Sequence, residues 1–466
     1  MMRTTPRDIA ARLDRLPSCR TVWTIIILIS LGSVFEFYDL FFTAYVAPGM
    51  MQSGLFTPQS LGIFASLKLI AVAGFGTFIF STFAGLWFGV VILGDAADRF
   101  GRKTVFTWSL MWYMTCTAIM AFQHTGQSLN IWRFIAGIGF GVQLVTIDTY
   151  IVELVPRRFR GRAFSLNQFI SFCIVPVVAL LAWRLVPINP FGFDGWRCVV
   201  LLGSAGAFAV WALRAGIPES PRWLAAKGRV DEAEAIVAEL ESRVIAELGV
   251  ALEPPRPTAG EAEGQARLAE IFSAKYRGRT IMLSLFNAAQ VIGFYGFNSW
   301  VPTLLVARGI NVTRGLEYAF LIALAQPVGP LLGGLFADRI ERKVQIMGGL
   351  ACMGVAMGAF ATAVSATVLV ISGIAFTMAA NVMSYAYHGY QAELYPTPIR
   401  SRAVGFVYSW SRFTAAFSGL IVGSLLATGG VPAVAVFIGA AMVAGIVLIG
   451  VMGPATNGLA LEQLND

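Results

Sequence analysis

Twelve apolar stretches dominate the chain, at residues 22–48, 69–94, 104–122, 130–153, 163–186, 197–215, 280–306, 316–337, 345–363, 366–392, 403–428 and 431–452. A helix crossing a bilayer needs about 20 apolar residues in a row, and each stretch is of that order. The expected fold is therefore an all-α membrane protein with twelve transmembrane helices. Composition excludes a soluble globule: 57% of the 466 residues are hydrophobic and 13% charged, and mean hydropathy is +0.70. Too little polar surface remains to cover a particle of this size.

A net charge of +8 could suggest nucleic acid, but the basic residues sit in short clusters between the apolar runs, so that partner is set aside. With the N-terminus inside, the segments 1–21, 95–103, 154–162, 214–279, 338–344 and 394–402 hold 27 of the 34 Lys and Arg. The positive-inside rule then places both termini in the cytoplasm. The first 20 residues are basic and polar without an apolar core, so the first span is expected to act as the insertion signal. Cys19, Cys116, Cys173, Cys198 and Cys352 are scattered, with no CxxC and no His at ligand spacing, so neither a disulfide framework nor a metal site is expected. No nucleotide loop or enzyme motif is present, and no cofactor is implied.

The expected organisation is a cytoplasmic segment 1–21, a six-helix bundle 22–215, a cytoplasmic linker 216–279, a second bundle 280–453 and a tail 454–466. Asp231 to Leu248 has apolar residues at three-to-four spacing and reads as an amphipathic helix, while 253–264, rich in Pro, Gly and Glu, reads as linker. The two bundles repeat. Asp98, Arg102 and Lys103 return as Asp338, Arg342 and Lys343, and Glu153, Pro156 and Arg160 as Glu393, Pro396 and Arg400, both at an offset of 240. A shared offset in independent motifs means a duplicated unit in the same topology. Such parallel repeats place a site near the midplane and work by rocking one half on the other. Asp98 with Arg102 and Glu153 with Arg160, and their repeats, put opposite charges at cytoplasmic helix ends, where pairs can latch an inner gate or simply anchor the helices.

Gly94-Asp95-Ala-Ala-Asp98-Arg99-Phe-Gly101-Arg102-Lys103 resembles the loop signature of the major facilitator superfamily. Arg133-x3-Gly137-x-Gly139-x-Gly141, then Tyr150, Glu153, Pro156 and Arg160, with Pro218-Glu219-Ser220-Pro221-Arg222 beyond the sixth span, is similar to its sugar-porter and organic-ion branch. Asp148 departs from the Pro usual in sugar porters, and Glu341 from the Gly expected in the second loop motif.

Charges inside the spans are costly, about 2.5–3.5 kcal/mol each on insertion scales, and so mark function. At about 1.5 Å per residue, Asp39 lies roughly 25 Å from the cytoplasmic side and Arg133 roughly 30 Å, at similar depth. Asp39 and Arg133 are expected to pair, and symporters of the resembling superfamily use such a pair for proton coupling. Glu36, one turn earlier, either shares that proton or faces the cavity. Asp148 plus the offset is His388, so these two either form an inner proton exit or leave His388 as a hydrogen-bonded core residue.

Counting 10–12 residues from the cytoplasmic helix ends gives a depth of roughly 15–18 Å. That depth collects Gln143, Gln290, Gln326, Asn381 and Arg412, with Tyr295, Trp300, Tyr385 and Trp410 nearby. Amides and aromatics around one cation suit a small planar or hydroxylated anion, whereas any single amide can equally join two helices. No acid in the span of Arg412 can neutralise it. Glu393-Leu-Tyr-Pro396-Thr-Pro-Ile-Arg400 continuing to Arg412, with Phe294-Tyr295-Gly296, Trp300-Val-Pro302, Glu317-Tyr318 and Leu324-Ala-Gln326, resembles organic-anion transporters and bacterial nicotinate permeases. The first helix, Phe35-Glu36-Phe37-Tyr38-Asp39-Leu40, is closer to metabolite–proton symporters.

The resemblance implies proton-coupled symport of a small organic anion, an aromatic or hydroxy carboxylate such as nicotinate, by a monomer in a bacterial inner membrane. A sugar or polyol porter would leave Arg412 unexplained. Drug antiport is disfavoured because Ala163 to Trp183 contains Pro176 but no glycine, and a sensor is disfavoured because the linker is too small for an output domain.

Overall fold

The structure is a computed structural model that describes residues 5–66, 74–213, 217–255, 268–336 and 340–456. Among the described residues it is all helical, without strands. An amphipathic helix α1 (Pro6–Asp14) is followed by α2 (Arg20–Gln52), α3 (Gly76–Leu93), α4 (Arg102–Met120), α5 (Gly126–Leu154), α6 (Arg160–Leu185) and α7 (Gly195–Leu213). Two short polar-flanked helices, α8 (Pro221–Ala226) and α9 (Val230–Leu248), lead to α10 (Arg277–Asn298) and α11 (Val301–Ala307). The chain continues through α12 (Val312–Ala323), α13 (Val328–Phe336), α14 (Arg342–Thr362), α15 (Ala366–Glu393) and α16 (Thr397–Met452).

Two expected spans are interrupted and two others run together, each for a local reason. The seventh splits at Ser299 and Trp300, where Pro302 starts a new helix at a position that needs no donor. The eighth splits between Ala323 and Val328, since Pro327 cannot donate the next backbone bond. The last two stretches are two helices joined end to end, together α16, that meet at a kink at Gly430 with φ 66° and ψ −163°, a non-helical conformation open to glycine. Among the described residues nine helices are long and apolar enough to cross a membrane, one of them this double-length element.

Helices α2 to α7 pack on one another, as do α10 and α12 to α16, and the two groups meet where α3 lies along α16 and α6 along α12 and α13. Glycines let α3 and α5 approach closely. A Cβ at Gly85 would lie 2.2 Å from the Phe134 carbonyl oxygen and one at Gly141 2.2 Å from that of Leu86, so a side chain at either would force the helices apart. Aromatic rings join the groups at the end remote from α1, with Trp183 stacked on Phe320 at 5.8 Å and Phe75 edge-on to Trp300 at 5.5 Å.

The duplicated unit is visible in atomic detail. Arg102 pairs with Glu153 at 2.7 Å and Arg342 with Glu393 at 2.8 Å. Arg160 Nε donates to the Val155 carbonyl at 3.3 Å, and Arg400 Nε to that of Tyr395 at 3.1 Å. Tyr150 donates to the Pro218 carbonyl and Tyr390 to that of Pro454, each tying the repeat's fourth long helix to the chain leaving its sixth. Glu153 therefore meets Arg102 where the sequence reading pairs it with Arg160, because Arg160 turns toward its own helix start. Asp98 reaches Arg102 at 2.6 Å. Asp338 lies outside the described residues. Among those that are described, each of these ion pairs joins elements of one group rather than bridging the two.

The linker helix forms as expected, burying Ala233, Val237, Leu240 and Val244 and ending at Gly249 in the left-handed conformation. Its partner was not foreseen. Segment 1–21 contains α1, which starts with a Thr5–Asp8 capping box and buries Ile9 and Leu13 in the apolar cluster beneath α9. Glu241 of α9 receives Arg12 and Arg15, both at 2.7 Å. Burial pushes the Glu241 carboxyl up, but the two guanidiniums outweigh it and hold it below the usual carboxylate range.

Candidate functional site

Asp39 on α2 and Arg133 on α5 form a buried ion pair at 2.8 Å. The guanidinium is 0% exposed and fully engaged: it also donates to Thr82 Oγ1 at 2.8 Å, to Thr43 Oγ1 at 2.9 Å and to the Asp39 carbonyl at 3.0 Å. The second Asp39 oxygen accepts from Thr117 Oγ1 on α4 at 3.2 Å. A small cavity beside the pair is lined by Asp39, Tyr113, Thr117 and Ser204, and the Tyr113 hydroxyl is buried without a partner. Glu36 is 2% exposed, and its Oε1 likewise has no partner. The three threonines and Tyr113 were not found from sequence, because uncharged hydroxyls in an apolar span carry no signal until a charge is placed beside them.

Arg412 on α16 is only 8% exposed. Its Nη1 donates to the Tyr295 hydroxyl on α10 at 2.7 Å and its Nη2 to Tyr408, one turn earlier on α16, at 3.2 Å. The Tyr408 ring also lies under the guanidinium at 5.0 Å. Nε has no partner, and among the described residues no carboxylate forms an ion pair with Arg412. Phe83 of α3 packs on Tyr295 at 4.6 Å, which brings the other helix group to the site. Tyr408 was missed, although a residue four before Arg412 shares its helix face.

Asp148 on α5 and His388 on α15, the symmetry-related pair, are both solvent-accessible. His388 packs edge-on to Tyr408 at 5.4 Å, and its Nδ1 lies 2.9 Å from the Ser384 carbonyl. Asp148 lies within electrostatic range of both Arg412 and Glu36 without pairing with either. These groups form one polar cluster between the two halves of the molecule.

The amides divide. Gln326 and Asn381 bond to each other at 2.9 Å, and Gln326 passes the chain to Asn298 at 3.0 Å, so these side chains hold neighbouring helices together. They take no part in the Arg412 cluster. Gln143 is fully buried with both amide atoms unpartnered, and Gln290 is buried and makes no hydrogen bond to protein among the described residues. Tyr385 is half-buried on α15. Trp300 is buried against Phe75, at the end remote from α1 rather than at the cluster. Trp410 is 41% exposed. At about 100° per residue it points to the opposite side of α16 from Arg412, and it packs on Phe413 instead.

An all-helical duplicated fold enclosing buried charges between its halves defines a class, the secondary transporters of membranes. The profile of the family described as sugar (and other) transporter matches residues 25–466, and the chain belongs to that family, within the major facilitator superfamily. It is a multi-pass membrane transporter and not an enzyme. It is 28% identical over 465 residues to a niacin transporter of Acinetobacter baylyi, covering 98% of this chain and 99% of the relative. A gallate transporter of Pseudomonas putida is 28% identical over 437 residues, with 91% and 90% covered. The partially occluded, inward-open xylose transporter XylE from E. coli superposes with a TM-score of 0.74 at 19% identity, covering 95% and 100%, which is a likeness of fold.

Proposed function

We propose that this protein is a proton-coupled symporter that takes up a small aromatic or hydroxylated carboxylate by alternating access. Arg412 carries the reading: a guanidinium inside the membrane, held by two tyrosine hydroxyls, with no carboxylate paired to it among the described residues and one nitrogen unused. A substrate carboxylate supplies the missing charge, and Tyr295 and Tyr408 orient the guanidinium and offer ring faces to a planar ligand. The niacin and gallate relatives, both named for carboxylates, support the class.

Asp39 is the proton carrier in this reading. Held charged by Arg133 and disfavoured as a charge by its buried surroundings, it can change state when the halves move. Glu36, one turn away, shares the path, and Asp148 with His388 lies on the side toward the basic helix ends. The scheme includes twelve spans, two rocking bundles at 22–215 and 280–453, cytoplasmic termini, a monomer and the bacterial inner membrane. The Arg102–Glu153 and Arg342–Glu393 pairs brace the bundles internally, with Asp98, Arg160, Asp338 and Arg400 as the remaining groups of the inner gate.

A sugar porter is the second reading, favoured by the unbonded amide of Gln290. Uptake of labelled nicotinate, hydroxybenzoate and xylose into proteoliposomes under an imposed pH gradient separates the two. Arg412→Ala is expected to cut carboxylate uptake by about tenfold to a hundredfold, the value of a charge-assisted contact. Xylose uptake indifferent to Arg412→Ala, with no carboxylate uptake by the unaltered protein, would overturn the proposal.

A further inference from the structure

Two groups near Arg412 are chemically unlike it, and this constrains the rest of the ligand. His388 Nδ1 is 2.9 Å from the Ser384 carbonyl, which can only accept, so Nδ1 carries the hydrogen. The neutral ring then leaves Nε2 as an acceptor, and among the described residues Nε2 has no protein partner. Packing on Tyr408 places this ring next to Arg412 while α15 keeps it on its own side of the cluster. Asp148, on α5 in the other half, is solvent-accessible, lies within electrostatic range of Arg412 and makes no ion pair among the described residues. An acid that could have neutralised Arg412 is thus held apart from it, and a second acceptor stands on a third helix.

We infer that the site is bipolar: Arg412 takes the carboxylate, and Asp148 and His388 Nε2 accept hydrogen bonds from hydroxyl groups at the opposite end of an aromatic acid. A hydroxylated aryl carboxylate satisfies both ends, whereas an unsubstituted one would cover two acceptors without giving either a donor, which is the costlier outcome. Asp148 and His388 are then specificity-determining residues. This inference rests on the anion reading of Arg412 and adds the chemistry of the ligand's other end.

The test compares benzoate with 3,4-dihydroxybenzoate, measured by calorimetry on the purified full-length protein in detergent. The dihydroxy acid is expected to bind about tenfold or more tightly than benzoate. Asp148→Ala and His388→Phe should each shrink that ratio severalfold, by weakening the dihydroxy acid and sparing benzoate an unmet acceptor, and Arg412→Ala should weaken both acids. Asp148→Asn serves if the alanine variant does not fold, and His388→Phe decides by itself if neither does. A ratio near one in the unaltered protein, no binding of either acid, or an unchanged ratio in the folded variants overturns the inference. Binding of both acids unaffected by Arg412→Ala instead overturns the anion reading, so the two failures are distinguishable.

Discussion

Arg133 and Arg412 are both guanidiniums buried in the membrane-spanning part of the protein, and they are treated in opposite ways. Arg133 is saturated by a carboxylate, two threonine hydroxyls and a backbone carbonyl, with Phe42 and Phe78 against its faces. Arg412 has two neutral hydroxyls and an idle nitrogen. The first is a closed circuit whose charge is balanced within the protein. The second has its balance left open, which is what a binding group for an anion requires, since a resident carboxylate would compete with the ligand.

Stability measurements can break this contrast most directly. Arg133→Leu should strand the Asp39 carboxylate and cost about 3–5 kcal/mol, visible as a large fall in melting temperature in detergent. Arg412→Leu leaves no paired charge behind and should hold or raise the melting temperature. Equal losses in the two variants would show that Arg412 is neutralised in the folded protein after all.

Transport sharpens the contrast next. Asp39→Asn should abolish accumulation of substrate under a proton gradient while retaining counterflow exchange, because the site at Arg412 is untouched. Accumulation at the unaltered level in this variant would remove Asp39 from the proton step. A smaller change is expected from Tyr408→Phe, which deletes one of the two hydroxyls on Arg412. Substrate affinity should fall by about fivefold to tenfold, the value of one hydrogen bond, with the melting temperature near that of the unaltered protein.

The smallest effect lies outside the spans, at the clasp between α1 and α9. Arg12 and Arg15 hold the Glu241 carboxyl below its usual range, so its folded pKa is lower than its unfolded one. The stabilisation is present above the ordinary carboxylate pKa of about 4.3 and fades as pH falls through the lower folded value. Glu241→Gln should lower the melting temperature by a few degrees at pH 7, and the gap should close under acid conditions. A gap independent of pH would assign the clasp to packing of Ile9 and Leu13 alone.

Much of this architecture is legible in one dimension. Arg102–Glu153 and Arg342–Glu393 repeat in space what the offset of 240 repeats in sequence, and the pairing of Asp39 with Arg133 follows from their depths. Depth alone grouped Trp410, Gln326 and Asn381 with Arg412, and the structure sets them apart from it. Trp410 is near the level of Arg412 but on the far side of α16, and the two amides are spent on each other. Helix α1 was hidden because nine residues give too weak a periodic signal to stand out beside spans of twenty or more.

The sequence by itself determined that the chain crosses a membrane many times, that its second half repeats its first, and that Arg412 has no neutralising acid in its own span. These follow from transfer of each residue out of water and from spacing along one chain, which are local quantities. Only the tertiary structure decided that Tyr295 and Tyr408 hold that cation, that His388 packs on Tyr408 beside it, and that Glu153 meets Arg102. Such pairings depend on how each helix is rotated about its axis against its neighbours, and that rotation is set by packing between residues far apart in the chain.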